Sequence, residues 1–393
     1  MSEHALLQPS AAHRWLHCPG SVYPNAQPRK QVRVDKRNLP AEEGTAAHAL
    51  FEMCLRVDHP PEQFEGAELP FQHVVNEGMI EAVGHAFDYV RNLTTKHVPH
   101  ELHIESWIDV GKAIDVPATT LSGTPDAAVH ATKARRLWTI DYKHGIGVPV
   151  DVTRNPQLML YSAGILERAG WPKTDIIHTV IQPRAPGRAP IAEEHMKSTE
   201  LREWMNDEVK PKVIRIYGST TGTQPDPLAP RHGGAWCKWC AAEGTCKEYA
   251  DIATRAAMRD FTPVYQPGDH NLHALDMTTE ELAQALNSAD LLEQWLHSVR
   301  AFALQLALDG TAIPGWEAGY TVPRRIWGDA EKVRALMERL RLPLDEYMPR
   351  ELLSPAQTEK LLKRHKVKEP EKLVAPLVTR GIPERKLVKK PTP

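Results

Sequence analysis

The segment Trp138-Thr139-Ile140-Asp141-Tyr142-Lys143 constrains this chain more than any other, because its residues alternate in character with a period of two. That is the period of a β-strand, whose successive side chains point to opposite faces. Trp138, Ile140 and Tyr142 make an apolar face that must be covered, while Asp141 and Lys143 share the other. Residues 100–110 alternate in the same manner, and 123–130 and 176–181 are short and suited to a half-buried sheet. Helices are expected over 10–16, over 42–55, where Ala47, Leu50, Phe51, Cys54 and Leu55 recur at helical spacing, and over 75–90. Another starts at Asn155-Pro156, and one more follows Ser198, with Pro211 expected to bend it; the stretch after 181 reads as a loop rich in Pro, Arg and Gly. The fold class is therefore α/β, a mixed central sheet flanked by helices.

A chain of 393 residues is longer than one ordinary core needs, and its character changes after Cys246. Residues 1–250 are expected to form the sheet domain and 251–393 a mostly helical C-terminal module. There, Thr278-Thr279-Glu280-Glu281 is a capping box opening a long helix, and further helices are expected over 329–340 and 354–362. From Asp329 onward Lys and Arg outnumber Asp and Glu; Arg324, Arg325 and Trp327 precede, and Lys360, Lys363, Arg364, Lys366 and Lys368 are dense enough to track phosphates, with Trp327 placed to stack on a base. The basic tail over 385–391 reads as solvated. With 41% hydrophobic and 25% charged residues, no transmembrane stretch and no basic-then-apolar leader at the start, a cytoplasmic protein is expected. A net charge of -2 leaves any nucleic-acid contact to local clusters of Lys and Arg.

The acids point to chemistry. Asp126, in Gly123-Thr124-Pro125-Asp126, and Asp141 lie on strands that could be neighbours, and paired carboxylates form a hard-oxygen site for Mg²⁺ or Mn²⁺. Such an ion activates water and neutralises a phosphodiester, and Lys143 would add charge stabilisation. Gln157 and Tyr161 are four apart on one helix and could hold a substrate backbone. His48, within Thr45-Ala46-Ala47-His48-Ala49, could add a ligand, and Glu105 is a lesser candidate on the preceding strand.

Three of five cysteines, Cys237, Cys240 and Cys246, sit within ten residues, a spacing that presents thiolates to one metal centre and leaves a fourth ligand to be found. His232 could complete a local zinc site, and Cys54 reads as a core thiol. Trp236 and Trp239 read as packing around that centre.

His48, Gly123-Thr124-Pro125-Asp126, Asp141-Tyr142-Lys143 and Gln157-x-x-x-Tyr161, in this order, resemble the motifs of RecB-type nuclease domains in the PD-(D/E)XK superfamily. The resemblance implies that His48, Asp126 and Asp141 hold the metal, that Lys143 acts on the hydrolytic water, and that Gln157 and Tyr161 contact DNA. A lone cysteine before the motifs and a cluster after them resembles the iron-sulfur members of that group, which implies Cys18 as the fourth ligand of a 4Fe-4S cluster, with zinc the lesser alternative. The whole chain also resembles an uncharacterised phage and prophage family of the superfamily, which implies DNA as partner and phage replication or recombination as setting. The rivals are a catalytically silent DNA- or partner-binding protein on the same fold, and a zinc-stabilised interaction module.

Overall fold

The computed structural model describes residues 5–27, 39–146, 149–185, 187–218, 224–238, 240–261, 279–320, 325–348, 353–380 and 385–389. Thr278, Arg324 and Trp239, singled out above, lie outside them, as do residues 390–391 of the basic tail. The chain divides into two compact units, Met1–Trp295 and Leu296–Pro393. No helix among the described residues is long and apolar enough to cross a membrane.

The first unit is built on a five-stranded mixed sheet of β1 (Glu101–Ile104), β2 (Ala127–Ala131), β3 (Arg136–Tyr142), β4 (Asp175–Ile181) and β5 (Ile191–Lys197), which lie side by side in that order. β1, β2 and β3 pair antiparallel, β3 and β4 pair parallel, and β5 returns antiparallel to β4. A parallel neighbour needs a crossover. Here it is the helix Pro156–Arg168, whose start is fixed by Pro156 at the first position and by the Asn155 side chain, which accepts from the Gln157 and Leu158 N–H groups at 3.0 and 3.4 Å.

Period-two alternation separates the two faces of β3 as its sequence dictates. Trp138, Ile140 and Tyr142 are buried with Leu50 and Phe51 of helix Leu39–Val57 and with Val83 and Phe87 of helix Glu77–Lys96. On the opposite face Leu137 packs with Met159, Leu160 and Ala163 of the crossover helix and with Trp15 of the short helix Ala12–His17. Thr139, on the same side, bonds the Ser162 hydroxyl at 2.7 Å, and Ser162 in turn meets His178 Nε2 at 3.1 Å. This buried polar line holds β3, the crossover helix and β4 in one register, and it lies directly beneath Asp141.

Three local features depart from expectation. Residues 100–110 are not one strand: β1 stops at Ile104, Glu105 turns at φ 41°, and Ile108–Asp109 pairs separately with Ser122–Gly123. β5 fills much of the stretch read as loop. The helices Ser198–Trp204 and Lys210–Tyr217 are joined through one wide π-helical turn, Met205–Val209, just ahead of Pro211, whose missing N–H removes a helical hydrogen bond.

The second unit contains the expected helices Ala330–Arg339 and Pro355–Arg364, capped by Asp329 and Ser354. Val333, Leu336, Met337, Leu361, Leu362 and Val374 form its core. It also carries two antiparallel strand pairs, Trp316–Tyr320 with Arg385–Lys389 and Arg325–Trp327 with Val378–Arg380. The stretch 385–389 is thus a paired strand rather than a solvated tail. Trp327 packs against the core, half-buried, and donates its indole N–H to the Leu353 carbonyl at 2.6 Å. Lys363, within the basic group, pairs with Glu371 at 2.6 Å.

Candidate metal centre and thiol site

The sheet register brings the sequence-predicted acids together. Ala127 lies opposite Ile140, which places Asp126 beside the end of β3. There one Asp126 oxygen accepts the Tyr142 backbone N–H at 2.7 Å, and the other meets His48 Nδ1 at 3.2 Å. Burial opposes charge on the His48 ring, but the Asp126 carboxylate outweighs it and holds the imidazole pKa above its ordinary value. Glu105, turned inward by its positive φ, joins them: one ligand atom each from His48, Glu105 and Asp126 lie within 4.8 Å of one another. Burial, then the Asp126 charge, push the Glu105 carboxyl up to about 7. The lesser candidate is therefore part of the site.

Asp141 is 3% exposed and lies beside Asp126 across the β2–β3 pairing, outside that three-residue cluster. Its Oδ1 accepts from Lys143 Nζ at 2.8 Å and from Gln157 Nε2 at 3.0 Å, while its Oδ2 is buried with no hydrogen-bond partner. Burial raises the Asp141 pKa, and Lys143 offsets only part of that. Lys143 is held above its ordinary value: burial works against the ammonium, and Asp141 with Asp126 overcome it. Glu105, Asp141 and Lys143 retain protons more tightly than in water, as expected where carboxylates outnumber nearby cations. The His48, Glu105 and Asp126 cluster, with the buried, unsatisfied Asp141 oxygen beside it, has the hard ligand chemistry that fits a divalent cation, which would replace those protons.

Gln157 and Tyr161 share a face, as their spacing requires, but the Gln157 amide is engaged with Asp141 rather than open. Tyr161 is buried beside Asp126 and Asp141, and burial followed by those charges raises its pKa. Behind the centre lies a polar brace that sequence reasoning missed. The Tyr142 hydroxyl meets His144 Nδ1 at 2.8 Å, and Arg184 Nη1 donates to Glu43 at 2.7 Å and to His144 Nε2 at 2.6 Å. The guanidinium beside Glu43 keeps that carboxyl below its ordinary pKa. No short-range spacing links residues 43, 144 and 184, so no motif signals them.

The four cysteines named above, Cys18, Cys237, Cys240 and Cys246, line one cavity. The N-terminal segment reaches it by a close approach: Gly20 N–H donates to the Pro230 carbonyl at 2.7 Å, and a Cβ at position 20 would stand 2.4 Å from the Ala229 oxygen. Cys18 Sγ accepts the His232 N–H at 3.3 Å, Cys237 Sγ the Gly234 N–H at 3.4 Å, and Cys240 Sγ the Asn25 amide at 3.4 Å. Asn25, not foreseen, also accepts the Ala241 N–H at 3.2 Å. Burial pushes the Cys237 thiol up to about 11 and raises Cys18, so thiolates here need a cation. Among the described residues no three of these sulfurs lie within 4.8 Å of one another. Trp236 stacks on His17 with centroids 4.5 Å apart; Trp239 lies outside the described residues. Cys54 is a buried thiol in the apolar core.

Across residues 4–392 the chain matches the family described as a protein of unknown function, DUF2800, and it belongs to that family.

Proposed function

We propose that this protein is a metal-dependent DNA nuclease of the RecB type within the PD-(D/E)XK superfamily. The carrying observation is the cluster of His48, Glu105 and Asp126 within 4.8 Å of one another, beside Asp141 on the neighbouring strand, which keeps one buried carboxylate oxygen without a partner and the Lys143 ammonium at 2.8 Å. A divalent ion, Mg²⁺ or Mn²⁺, held by these four residues would supply Lewis acidity toward a phosphodiester and a nucleophilic water at neutral pH. Lys143 carries a protonated ammonium at the reacting centre, where charge builds on the phosphate oxygens. Gln157 fixes the Asp141 carboxylate, and Tyr161 walls the centre on the crossover-helix side. The brace of Glu43, His144 and Arg184 positions Tyr142, whose N–H orients Asp126.

The four cysteines fit a metal centre that ties the N-terminal segment to residues 230–246. The 4Fe-4S cluster is favoured by the resemblance of a lone cysteine before the motifs and a trio after them, with zinc the lesser alternative, since thiolates suit both. His232 contributes its backbone N–H to Cys18, which supports Cys18 as the fourth ligand. Action on phage or prophage DNA, in replication or recombination, follows from the resemblance of the chain, and it is part of this proposal together with a cytoplasmic location. The test is cleavage of end-labelled DNA with Mg²⁺ or Mn²⁺: wild type cuts, EDTA stops it, and Asp141→Ala does not cut. Cutting by Asp141→Ala at the wild-type rate would refute the site.

A further inference from the structure

A cleft of about 660 Å³ opens beside the metal centre and includes Lys143 and Gln157 in its lining. Its walls come from separate places: His13 and His17 on helix Ala12–His17, Arg154 ahead of the crossover helix, and Lys212 on helix Lys210–Tyr217. Half-buried Trp204 lies along it. Two acids, Asp151 and Glu208, also line it, against the three cations Lys143, Arg154 and Lys212. Asp151 is already occupied, accepting the Thr153 N–H at 2.9 Å. The Arg154 side chain pairs with Glu200 at 2.9 Å, with both partners about half exposed, and such a surface pair yields readily to a stronger anion. Lys212 makes no ion pair among the described residues.

We propose that this cleft seats a single strand of nucleic acid, with Arg154 and Lys212 each contacting a phosphate next to the one at the metal centre. This rests on the nuclease reading for its direction, since the cleft leads to Lys143. Arg154, Lys212 and the Trp204 indole line one cleft together with Lys143, and cations with an aromatic side chain are the combination by which single strands are held. A volume of this order takes a ligand of a few rings, the size of one or two unstacked nucleotides.

The experiment is fluorescence anisotropy of a fluorescein-labelled twelve-residue thymidine oligonucleotide, in Ca²⁺ without Mg²⁺ or Mn²⁺, over a series of salt concentrations. Arg154→Ala with Lys212→Ala should weaken binding and make the slope of log affinity against log salt shallower by about 0.7 for each phosphate no longer held. Lys133→Ala, in the turn between β2 and β3, should leave both unchanged. Equal melting temperatures for wild type and variants exclude misfolding as the cause. An unchanged slope and affinity in the double variant would overturn the proposal, as would tighter binding of a duplex of the same length. Because no cleavage is required, a protein that binds through these residues but never cuts would keep the cleft and remove the nuclease.

Discussion

Replacing Asp141 by Asn separates a site shaped for a cation from one shaped for stability. The Asn oxygen can stay where Oδ1 is and keep both acceptor roles, toward Lys143 and Gln157. Its amide nitrogen then takes the place of Oδ2, which has no partner. A buried polar atom left unsatisfied costs about 1–3 kcal/mol, more when charged. Removing the charge should therefore leave the protein, stripped of divalent ions, as stable as the parent or up to about 2 kcal/mol more stable. Mn²⁺ should reverse the order. At a concentration 100 times its dissociation constant a ligand stabilises the native state by about 2.7 kcal/mol. Wild type should gain that amount, and Asp141→Asn should gain almost none. Scanning calorimetry with and without Mn²⁺ on anaerobically purified protein reads both effects. A loss above about 3 kcal/mol without ions, the cost of breaking a structural buried pair, would refute the reasoning. So would equal Mn²⁺ stabilisation of the two proteins.

Two further outcomes are expected. Cys18→Ala should lose most iron and sulfide and melt at lower temperature, because ligand binding energy is also folding energy; full wild-type iron content would remove Cys18 from the ligand set. Glu105 has a folded pKa of about 7 against 4.5 for a solvated glutamate, so the folded state binds the extra proton between those values. Stability in EDTA should thus be greatest below about pH 4.5 for this group and fall as pH rises toward 7, by at most about 3 kcal/mol and less for a partly exposed carboxyl. Glu105→Gln should flatten that limb of a stability-pH curve measured by urea titration, and an unaltered curve would show that the group does not sense the site.

Much of the candidate site was legible because its determinants are local. A two-residue period placed Asp141 opposite Trp138, Ile140 and Tyr142, and Asn155-Pro156 announced the helix carrying Gln157 and Tyr161. What stayed hidden depends on contacts across the chain. β5 reads Ile-Ala-Glu-Glu-His-Met-Lys and is an edge strand whose exposed polar residues blur the alternation, so nothing local separates it from a loop. Arg385–Lys389 looks like a solvated basic tail until Trp316–Tyr320, some seventy positions earlier, supplies its ladder. The turn at Glu105 occurs inside an alternating stretch, where side-chain character carries no trace of a positive φ. The Trp327 contact was hidden in the same way: nothing local in a tryptophan beside arginines foretells that its indole N–H bonds the Leu353 carbonyl.

The central claim is that Lys143 and the acids around it perform phosphodiester hydrolysis, and single-turnover cleavage of an end-labelled single strand in Mn²⁺ by Lys143→Ala tests it most directly. Lys143 does not belong to the proposed ligand set, so its loss should spare Mn²⁺ stabilisation while removing charge from the transition state. The account predicts cleavage slowed by about 10²–10³-fold, with Mn²⁺-induced stabilisation retained. Cleavage at the wild-type rate would contradict it.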